Sequence, residues 1–510
     1  MKSEARVFSA HDALFDIAPS VERLPVAGRI ALLLDRTIYG TLLFSFVLFA
    51  IPYGAVEPWW VASFEIVIFA LTALWMVEGA LSGSWRVSGI PLTLPLLALA
   101  AFAAMQTIPL GTGEVAGIRF QRTLSVDPFE TKRFALKLLA LCLAGLLLRR
   151  YAASRRRASL LILTLIGVGI ASAVFGLIRQ TSQHEAMGFG LPFLQLGEGY
   201  GQFINRNHFA FLMEMTLGLA MGLVVGGGVR RDRVMIYLAA IAPLWTALVL
   251  SNSRGGIFSM LSQVLFIGLL VGGIRGWRPE AAHEEHTNRL AMWLDRLSRS
   301  RLARTALALC LVLVLAVSMI WMGGDLLVNR LESLPQEVAS EANASGANGT
   351  GSTGENGSGE RRAEVWRATW SLIKTHPIAG SGFGAYKTAL PPHHRASGEM
   401  IPEEAHNDYL EILSSGGIIG FLLVMLFLFL FIKTARERLR EADPIHRAAC
   451  FGALTGLFGA AVHSLVDFGL HITINALVFT ALAAIATLKL HEDPPRRRKA
   501  ASATKNTSFG

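Results

Sequence analysis

The sequence predicts an all-α polytopic membrane protein with about twelve membrane-spanning helices. Of its 510 residues, 52% are hydrophobic and 16% are charged, against roughly 25% charged residues in soluble domains. A spanning helix needs about 20 predominantly apolar residues, and many stretches of this kind follow one another along the chain. The mean hydropathy of +0.46 agrees with this class.

The apolar stretches form nine predicted spans, then a long polar loop, then three more spans. The predicted spans are 38–53, 59–78, 90–108, 134–148, 160–178, 209–225, 234–250, 255–273, 305–322, 409–432, 448–465 and 472–488. They divide the chain into an N-terminal segment 1–36, spans within 37–322, a loop 323–408, spans within 409–490 and a basic tail 491–510.

The distribution of Lys and Arg predicts which side of the membrane each connection occupies. With the N-terminus in the cytoplasm, the cytoplasmic connections carry basic clusters such as 155–157 and 496–499. The external connections 54–58 and 466–471 contain neither Lys nor Arg. Because cytoplasmic loops are enriched in these residues, both termini are predicted to be cytoplasmic and the loop 323–408 periplasmic. The same clusters account for the net charge of +10, so no nucleic-acid partner is expected.

The long loop combines two parts of opposite character. Residues 339–359 are rich in Gly, Ser, Asn, Ala and Thr, a composition that predicts a flexible tract. Residues 361–375 instead predict an amphipathic helix that ends before Pro377. Its apolar face consists of Val365, Trp366, Thr369, Trp370 and Ile373. This face rests either on the membrane interface or on other external loops.

Three polar motifs lie at the external ends of three predicted spans, at the same depth. Arg206 stands directly before the sixth span, Arg254 stands at the start of the eighth, and His406 precedes the tenth. Charged groups at the edge of a span are costly unless paired or functional. Arginine forks bind phosphate oxygens, and two of them suit a diphosphate. An imidazole accepts a proton from a hydroxyl near neutral pH.

Hydrogen-bonding neighbours accompany these groups and are further candidates for substrate binding. Asn207 and His208 follow Arg206, and Asn407 follows His406. Structural interpretations remain open for all of them. The arginines can reach toward lipid headgroups, His406 can form a structural hydrogen bond at a helix start, and Asn407 can cap that helix.

Other sequence features do not predict a cofactor or metal site. His463, Asp467 and His471 cluster before the last span and form either a second polar patch or bonds to one another. Two histidines and one carboxylate fall short of a convincing metal site, so no metal ligands are predicted. The Gly-x-Gly pattern within 380–386 permits close approach to a phosphate or simply forms a turn.

Five motifs occur in an order and spacing that resemble a known family. They are Asn205-Arg-Asn-His-Phe-Ala, Ser253-Arg-Gly-Gly, Arg362-x-x-x-Trp366, Pro377-x-x-Gly-x-Gly-x-Gly-x-Tyr386 and His406-Asn-Asp-Tyr-Leu. Together they resemble the O-antigen ligase and O-antigen polymerase family of bacterial envelopes, most strongly over 202–430. The tract 339–359 is longer and lower in complexity than the family pattern.

The resemblance implies a glycosyltransferase of the GT-C type in the bacterial inner membrane, with its active site facing the periplasm. Such proteins transfer a glycan from undecaprenyl diphosphate to an acceptor hydroxyl, without a nucleotide sugar, cofactor or metal. By position, Arg206 and Arg254 would bind the diphosphate and His406 would be the base.

The acceptor is left open by the sequence. It is lipid A–core for a ligase, a glycan repeat unit for a polymerase, or a protein for an O-oligosaccharyltransferase. A transporter or flippase for a lipid-linked glycan is the alternative from another class. That alternative predicts ionisable residues at the bilayer midplane and broken helices, whereas the main ionisable groups here lie at one edge, which favours the enzyme.

Overall fold

The computed structural model of the protein describes residues 25–85, 89–115, 118–181, 199–229, 231–273, 357–394, 402–441 and 443–490, with Ala306, Leu309, Cys310 and Leu313. The described part is mostly helical. Its helices are α1 (Val26–Ala50), α2 (Pro58–Ser82), α3 (Ile90–Gln106), α4 (Pro128–Tyr151), α5 (Arg155–Thr181), α6 (Arg206–Val225), α7 (Val234–Leu250), α8 (Arg254–Gly273), α9 (Gly357–Thr375), α10 (Tyr386–Ala389), α11 (Asp408–Arg438), α12 (Pro444–His463) and α13 (Thr473–Thr487). Single 3-10 turns lie at Arg231–Arg233, Pro391–His393 and Gly469–His471.

Seven of these helices are long and apolar enough to cross a membrane: α1, α2, α5, α6, α8, α11 and α12. The apolar helices α3, α7 and α13 are shorter. The chain is therefore a multi-pass helical membrane protein. The predicted span 305–322 lies outside the described residues apart from the four single residues above, as do 339–356 of the predicted flexible tract and the whole basic tail. The total of twelve spans stays a prediction.

Two local features differ from what hydropathy predicts. Helix α1 begins at Val26, well before the predicted start at 38, and Asp35 near its middle contacts α5. There the Nη1 atom of Arg157 donates to Asp35 Oδ1 at 3.0 Å. The second feature is a two-stranded antiparallel hairpin of β1 (Gly111–Val115) and β2 (Ile118–Arg122), which joins α3 to α4 and adds a small sheet to the predicted all-α fold.

The packing of α6 against α12 sets the position of the polar ends that form the candidate site. Glycines on both helices face one another, and a Cβ atom at Gly222 would lie 2.2 Å from the Cα atom of Gly452. Small residues let membrane helices approach this closely. Because the helices are antiparallel neighbours, the N-terminus of α6 lies beside the C-terminus of α12 and the turn that follows it.

The Gly-x-Gly loop after α9 packs against the backbone of α11. Helix α11 is interrupted at Gly417, where φ is 58° and ψ is −159°. The N–H of Ser381 donates to Ser414 O at 2.9 Å, and the N–H of Ile418 donates to Pro377 O at 2.9 Å. The fully buried Gln106 also bonds to this loop, through Ala379 O at 2.7 Å. The loop is therefore a structural turn fixed to the broken helix.

Helix α9 packs its apolar face against α10, the loop before α11 and the start of α11. Its buried side chains are Val365, Ala368, Thr369, Leu372 and Ile373. The indole Nε1 of Trp366 donates to Ala405 O at 3.0 Å, next to the predicted base. Trp370 is half exposed. The placement of α9 at the membrane interface stays a prediction.

Candidate functional site

His406 lies in the loop immediately before α11, in an unusual backbone conformation. Its φ is 48°, in the left-handed region that costs a non-glycine residue about 1–3 kcal/mol and is typical of functional positions. Its Nδ1 atom lies 3.6 Å from Asp467 Oδ1, and its side chain is 35% exposed. The ring contacts Phe468 edge-on at 5.0 Å between centroids. The imidazole is thus positioned on one side and accessible on the other.

Asp467 lies in the turn between α12 and α13 and is almost fully buried. Its Oδ2 atom accepts a hydrogen bond from Asn207 Nδ2, and its Oδ1 atom accepts one from the N–H of Phe468 at 2.9 Å. Burial acts to raise the pKa of Asp467, but the contact with His406 and the charge of His208 outweigh it and hold the pKa well below its usual range. Asp467 is therefore a carboxylate at neutral pH.

Asn207 connects this carboxylate to the start of α8. Its Oδ1 atom accepts a hydrogen bond from Ser253 Oγ at 2.8 Å. That hydroxyl also accepts from the N–H of Gly256 at 3.2 Å, within the first turn of α8. Asn207 therefore joins the N-termini of two helices to the turn that carries Asp467.

The two arginines flank this hydrogen-bonded pair. Arg206 is the first residue of α6 and precedes Asn207, and Arg254 is the first residue of α8 and follows Ser253. Consecutive Cα atoms lie about 3.8 Å apart, so each arginine starts one residue from the pair. Arg206 is exposed and Arg254 is partly buried. Two helix N-termini add partial positive charge at the same place, and such termini bind phosphate groups.

His208 and Asn407 lie in the same region but are more enclosed. The ring of His208 contacts Phe468 at 4.9 Å, and its buried Nε2 atom has no hydrogen-bond partner in the described part of the chain. Asn407 caps α11, since its Oδ1 atom accepts from the N–H groups of Tyr409 and Leu410, both at 3.0 Å. Its Nδ2 atom donates to Leu465 O at 2.8 Å. Both polar atoms of Asn407 thus hold the His406 loop against the turn.

The structure brings together motifs that are far apart in the sequence. His406, Asn207 and, through Asn207, Ser253 all converge on Asp467. Sequence analysis placed Asp467 only in a second polar patch and did not single out Phe468. The signal for Asp467 was its position on an external turn free of Lys and Arg, but nothing in the sequence pairs it with His406.

A second group of titratable residues surrounds His471 and was also missed. Its Nδ1 atom lies 3.3 Å from Glu404 Oε2, and its Nε2 atom lies 3.4 Å from Glu411 Oε1 and 3.7 Å from Asp408 Oδ1. Burial acts to lower the pKa of His471, but Glu404 and Glu411 raise it to about 10. Burial acts to raise the pKa of Glu404, but the charge of His471 holds it below its usual value. This group is named the His471 cluster below.

A third polar pair lies inside the helical bundle. His463 Nδ1 and Glu214 Oε2 are 3.0 Å apart, and both side chains are fully buried. The imidazole stacks on Phe211 at 4.1 Å. Glu214 lies two turns into α6 from Arg206, and intramembrane ionisable residues of this kind are usually paired.

Comparison with known proteins identifies part of the chain. Residues 238–425 match the model of the family described as O-antigen ligase. The matched range begins in α7, ends in α11 and includes Arg254, His406 and Asn407. Arg206 and Asp467 lie outside it, on either side. No curated protein matches the chain.

Proposed function

Because residues 238–425 match the O-antigen ligase family, we propose that the chain is a membrane glycosyltransferase of the ligase or polymerase type. Its donor is a glycan on undecaprenyl diphosphate, and its acceptor is a hydroxyl at the periplasmic face of the inner membrane. The observation that carries the proposal is that His406 and Asn207 both contact the buried carboxylate of Asp467, and that Ser253 joins them through Asn207. Arg206 and Arg254 are sequence neighbours of Asn207 and Ser253, and they add positive charge beside this network for binding an anion.

His406 acts as the general base in this proposal. Its Nδ1 atom faces Asp467, so a proton on Nδ1 leaves the lone pair of Nε2 for the acceptor hydroxyl. The acceptor oxygen forms a bond to the anomeric carbon of the donor while its proton passes to Nε2. Asp467 stabilises the imidazolium that results, as the carboxylate does in other base–carboxylate pairs.

The leaving group is the lipid diphosphate. The bond between the anomeric carbon and its oxygen breaks as the new bond forms, and its electron pair stays on the diphosphate. Arg206, Arg254 and the N-termini of α6 and α8 supply positive charge where this charge develops. Asn207 and His208 line the same region, and Asn407 keeps His406 in place. This chemistry requires no metal ion or organic cofactor.

The proposal also fixes the orientation of the chain in the membrane. The diphosphate of the donor lies at headgroup depth while its polyprenyl tail stays in the bilayer. The starts of α6, α8 and α11 then face the periplasm, as does the loop 323–408. Lipid A–core or a glycan repeat unit is the proposed acceptor, and a protein hydroxyl is the alternative. Glycan analysis of a deletion strain distinguishes loss of core-linked chains, of chain length, or of protein glycan.

The test is turnover by purified full-length protein with lipid-linked donor and acceptor. The His406→Ala variant should lose about 10²–10⁴ in rate while donor binding is retained. The matched control is His393→Ala, which removes an imidazole that hydrogen-bonds to the Ser371 hydroxyl. Turnover by His406→Ala close to that of His393→Ala would rule out the general base.

A transport function is the second candidate, favoured by two observations. The Glu214–His463 pair is fully buried in the bundle, and α11 is broken at Gly417; both features occur in transporters. A transporter moves the lipid-linked glycan across the bilayer and leaves the glycosidic bond to the diphosphate intact. Donor hydrolysis or transfer in the purified system therefore separates the two functions.

A further inference from the structure

The His471 cluster has the composition and spacing of a metal-binding group. One imidazole nitrogen of His471 and one carboxylate oxygen from each of Glu404 and Glu411 lie within 4.8 Å of one another. Zinc bonds of about 2.0–2.2 Å place any two ligands of one ion within about 4.4 Å. Only small side-chain movements separate the three groups from a common ion.

The contacts in the cluster are longer than those of a closed ion pair. Charge-assisted hydrogen bonds between nitrogen and oxygen are usually about 2.7–2.9 Å long, whereas the carboxylates lie 3.3, 3.4 and 3.7 Å from the ring nitrogens of His471. The buried pair of His463 and Glu214 in the same molecule closes to 3.0 Å. The His471 cluster is thus more open than the other pair, with Glu404 beside Nδ1 and both Glu411 and Asp408 beside Nε2.

The carboxylate of Asp408 is independent evidence for a cation at this cluster. Its side chain is 9% exposed, and its Oδ1 atom lies 3.7 Å from His471 Nε2. Neither of its carboxylate oxygens has a hydrogen-bond partner within the described residues. A buried carboxylate without partners is costly, and a bound cation beside it removes that cost.

The balance of charge points the same way. Three carboxylates, of Glu404, Asp408 and Glu411, face His471. Lys137 on α4 supplies an ammonium group, which donates to the carbonyl oxygen of His471 at 2.6 Å. The cluster thus offers three carboxyl groups to one imidazole and one ammonium group, and a bound cation would allow all three carboxyl groups to ionise.

We propose that Glu404, Glu411 and His471, with Asp408 beside them, bind one divalent transition-metal ion. A set of one nitrogen and two or three oxygens suits Zn²⁺ or Mn²⁺. The side chains of Glu404 and His471 are 26% and 35% exposed, so an ion reaches the cluster from outside. Binding displaces the proton of the imidazole, as at other histidine sites.

The ion would have a positioning role. Glu404 lies two residues before His406, and His471 lies four residues after Asp467. An ion shared by Glu404 and His471 therefore ties the loop that carries the proposed base to the turn that carries its carboxylate partner. The glycosyl-transfer steps above do not pass through it.

The experiment measures ion binding by the full chain without any glycan donor, so its outcome does not depend on the proposed reaction. Chelator-treated protein in detergent is titrated with Mn²⁺ and followed by electron paramagnetic resonance, and with Zn²⁺ and followed by metal analysis after desalting. One ion per chain is expected, with a nitrogen coupling from imidazole in the Mn²⁺ spectrum. The Glu411→Gln and His471→Gln variants should bind roughly tenfold more weakly or worse.

Two control variants test whether ion binding is specific to the His471 cluster. Glu403→Gln removes an adjacent exposed carboxylate that pairs with Lys387, and His446→Gln removes an imidazole that pairs with Glu441 elsewhere in the chain. Both should bind the ion as the unsubstituted protein does. Failure of the unsubstituted protein to retain an ion, or a spectrum without imidazole nitrogen, would overturn the proposal in favour of carboxyl groups that share a proton.

Discussion

Asp467 shows how much of the candidate site depends on a single side chain. It contacts His406 through one oxygen and Asn207 through the other, and it is almost fully buried. The neutral isostere in Asp467→Asn keeps the volume but removes the charge that, in the proposed mechanism, stabilises the imidazolium of His406. We expect kcat to fall by about 10²-fold or more with a smaller change in KM for the donor.

The control for that substitution is Asp443→Asn, which alters a helix-capping aspartate at the start of α12. This variant should keep its kcat. Equal losses in the two variants would show a general effect on folding and would contradict a role for Asp467 beside the base.

The depressed pKa of Asp467 predicts how its contribution to stability depends on pH. A carboxyl whose pKa is lower in the folded than in the unfolded protein stabilises the fold above the unfolded pKa, and the effect is lost only as the pH falls through the folded pKa. The difference in melting temperature between the unsubstituted protein and Asp467→Asn should therefore not shrink as the pH falls from about 8 to about 5. A difference that shrinks within this range would mean that Asp467 takes up a proton there.

The arginines should differ from Asp467 in their kinetic effect. Arg206→Ala is expected to raise KM for the donor as well as to lower kcat, because in the proposed function the guanidinium binds the diphosphate before and during the reaction. Arg206→Lys should rescue poorly, since a point charge lacks the planar fork. Arg119→Ala, at an exposed hairpin residue, is the control for loss of a surface charge, and equal kinetics for the two alanine variants would refute the assignment.

At the scale of elements, a matched pair of glycine substitutions tests how firmly the Gly-x-Gly loop is attached to α11. Gly380 and Gly227 have nearly the same backbone, with φ of 72° and 73°. A Cβ atom at Gly380 would lie 2.2 Å from the carbonyl carbon of Ser415, whereas one at Gly227 meets nothing within 4 Å. Gly227→Ala should cost roughly 1–2 kcal/mol for the left-handed backbone, and Gly380→Ala about 1–3 kcal/mol more for the overlap.

Thermal unfolding in detergent measures this difference directly. A clearly lower melting temperature for Gly380→Ala than for Gly227→Ala is expected. Equal values would show that the loop separates readily from α11, contrary to the backbone hydrogen bonds that join them.

Most helices were predictable from the sequence because an apolar stretch long enough to span a bilayer rarely forms anything other than a helix. The start of α1 was not, since the Asp35–Arg157 contact that supports it joins residues far apart in the sequence. The hairpin at 111–122 was too short and too polar to stand out between two spans. At the site, the arginines and His406 were visible as charges at span ends, but the Asp467 carboxylate acquires its partners only when α6 packs against α12.

For the whole molecule, the alternation of basic connections predicts opposite sides for the long loop and the C-terminus. Reporter fusions at Asn348 and after Gly510 should give periplasmic and cytoplasmic signals respectively. A fusion in the connection between α7 and α8, at Asn252, should match that at Asn348 and serves as an internal reference. Signals from one side for Asn348 and Gly510 would contradict the predicted topology.

The break at Gly417 divides α11 into two bodies with different attachments. On its N-terminal side, Asp408 and Tyr409 bond to Ser464 O and Ala461 O, so this segment moves with α12. On its C-terminal side, Leu422 and Phe429 are exposed. A change in bilayer thickness tilts spanning helices, and we expect Gly417 to act as the pivot for that tilt. The position of His406 should then depend little on the surrounding lipid. In the proposed function, the rate of glycosyl transfer should therefore vary little with acyl-chain length.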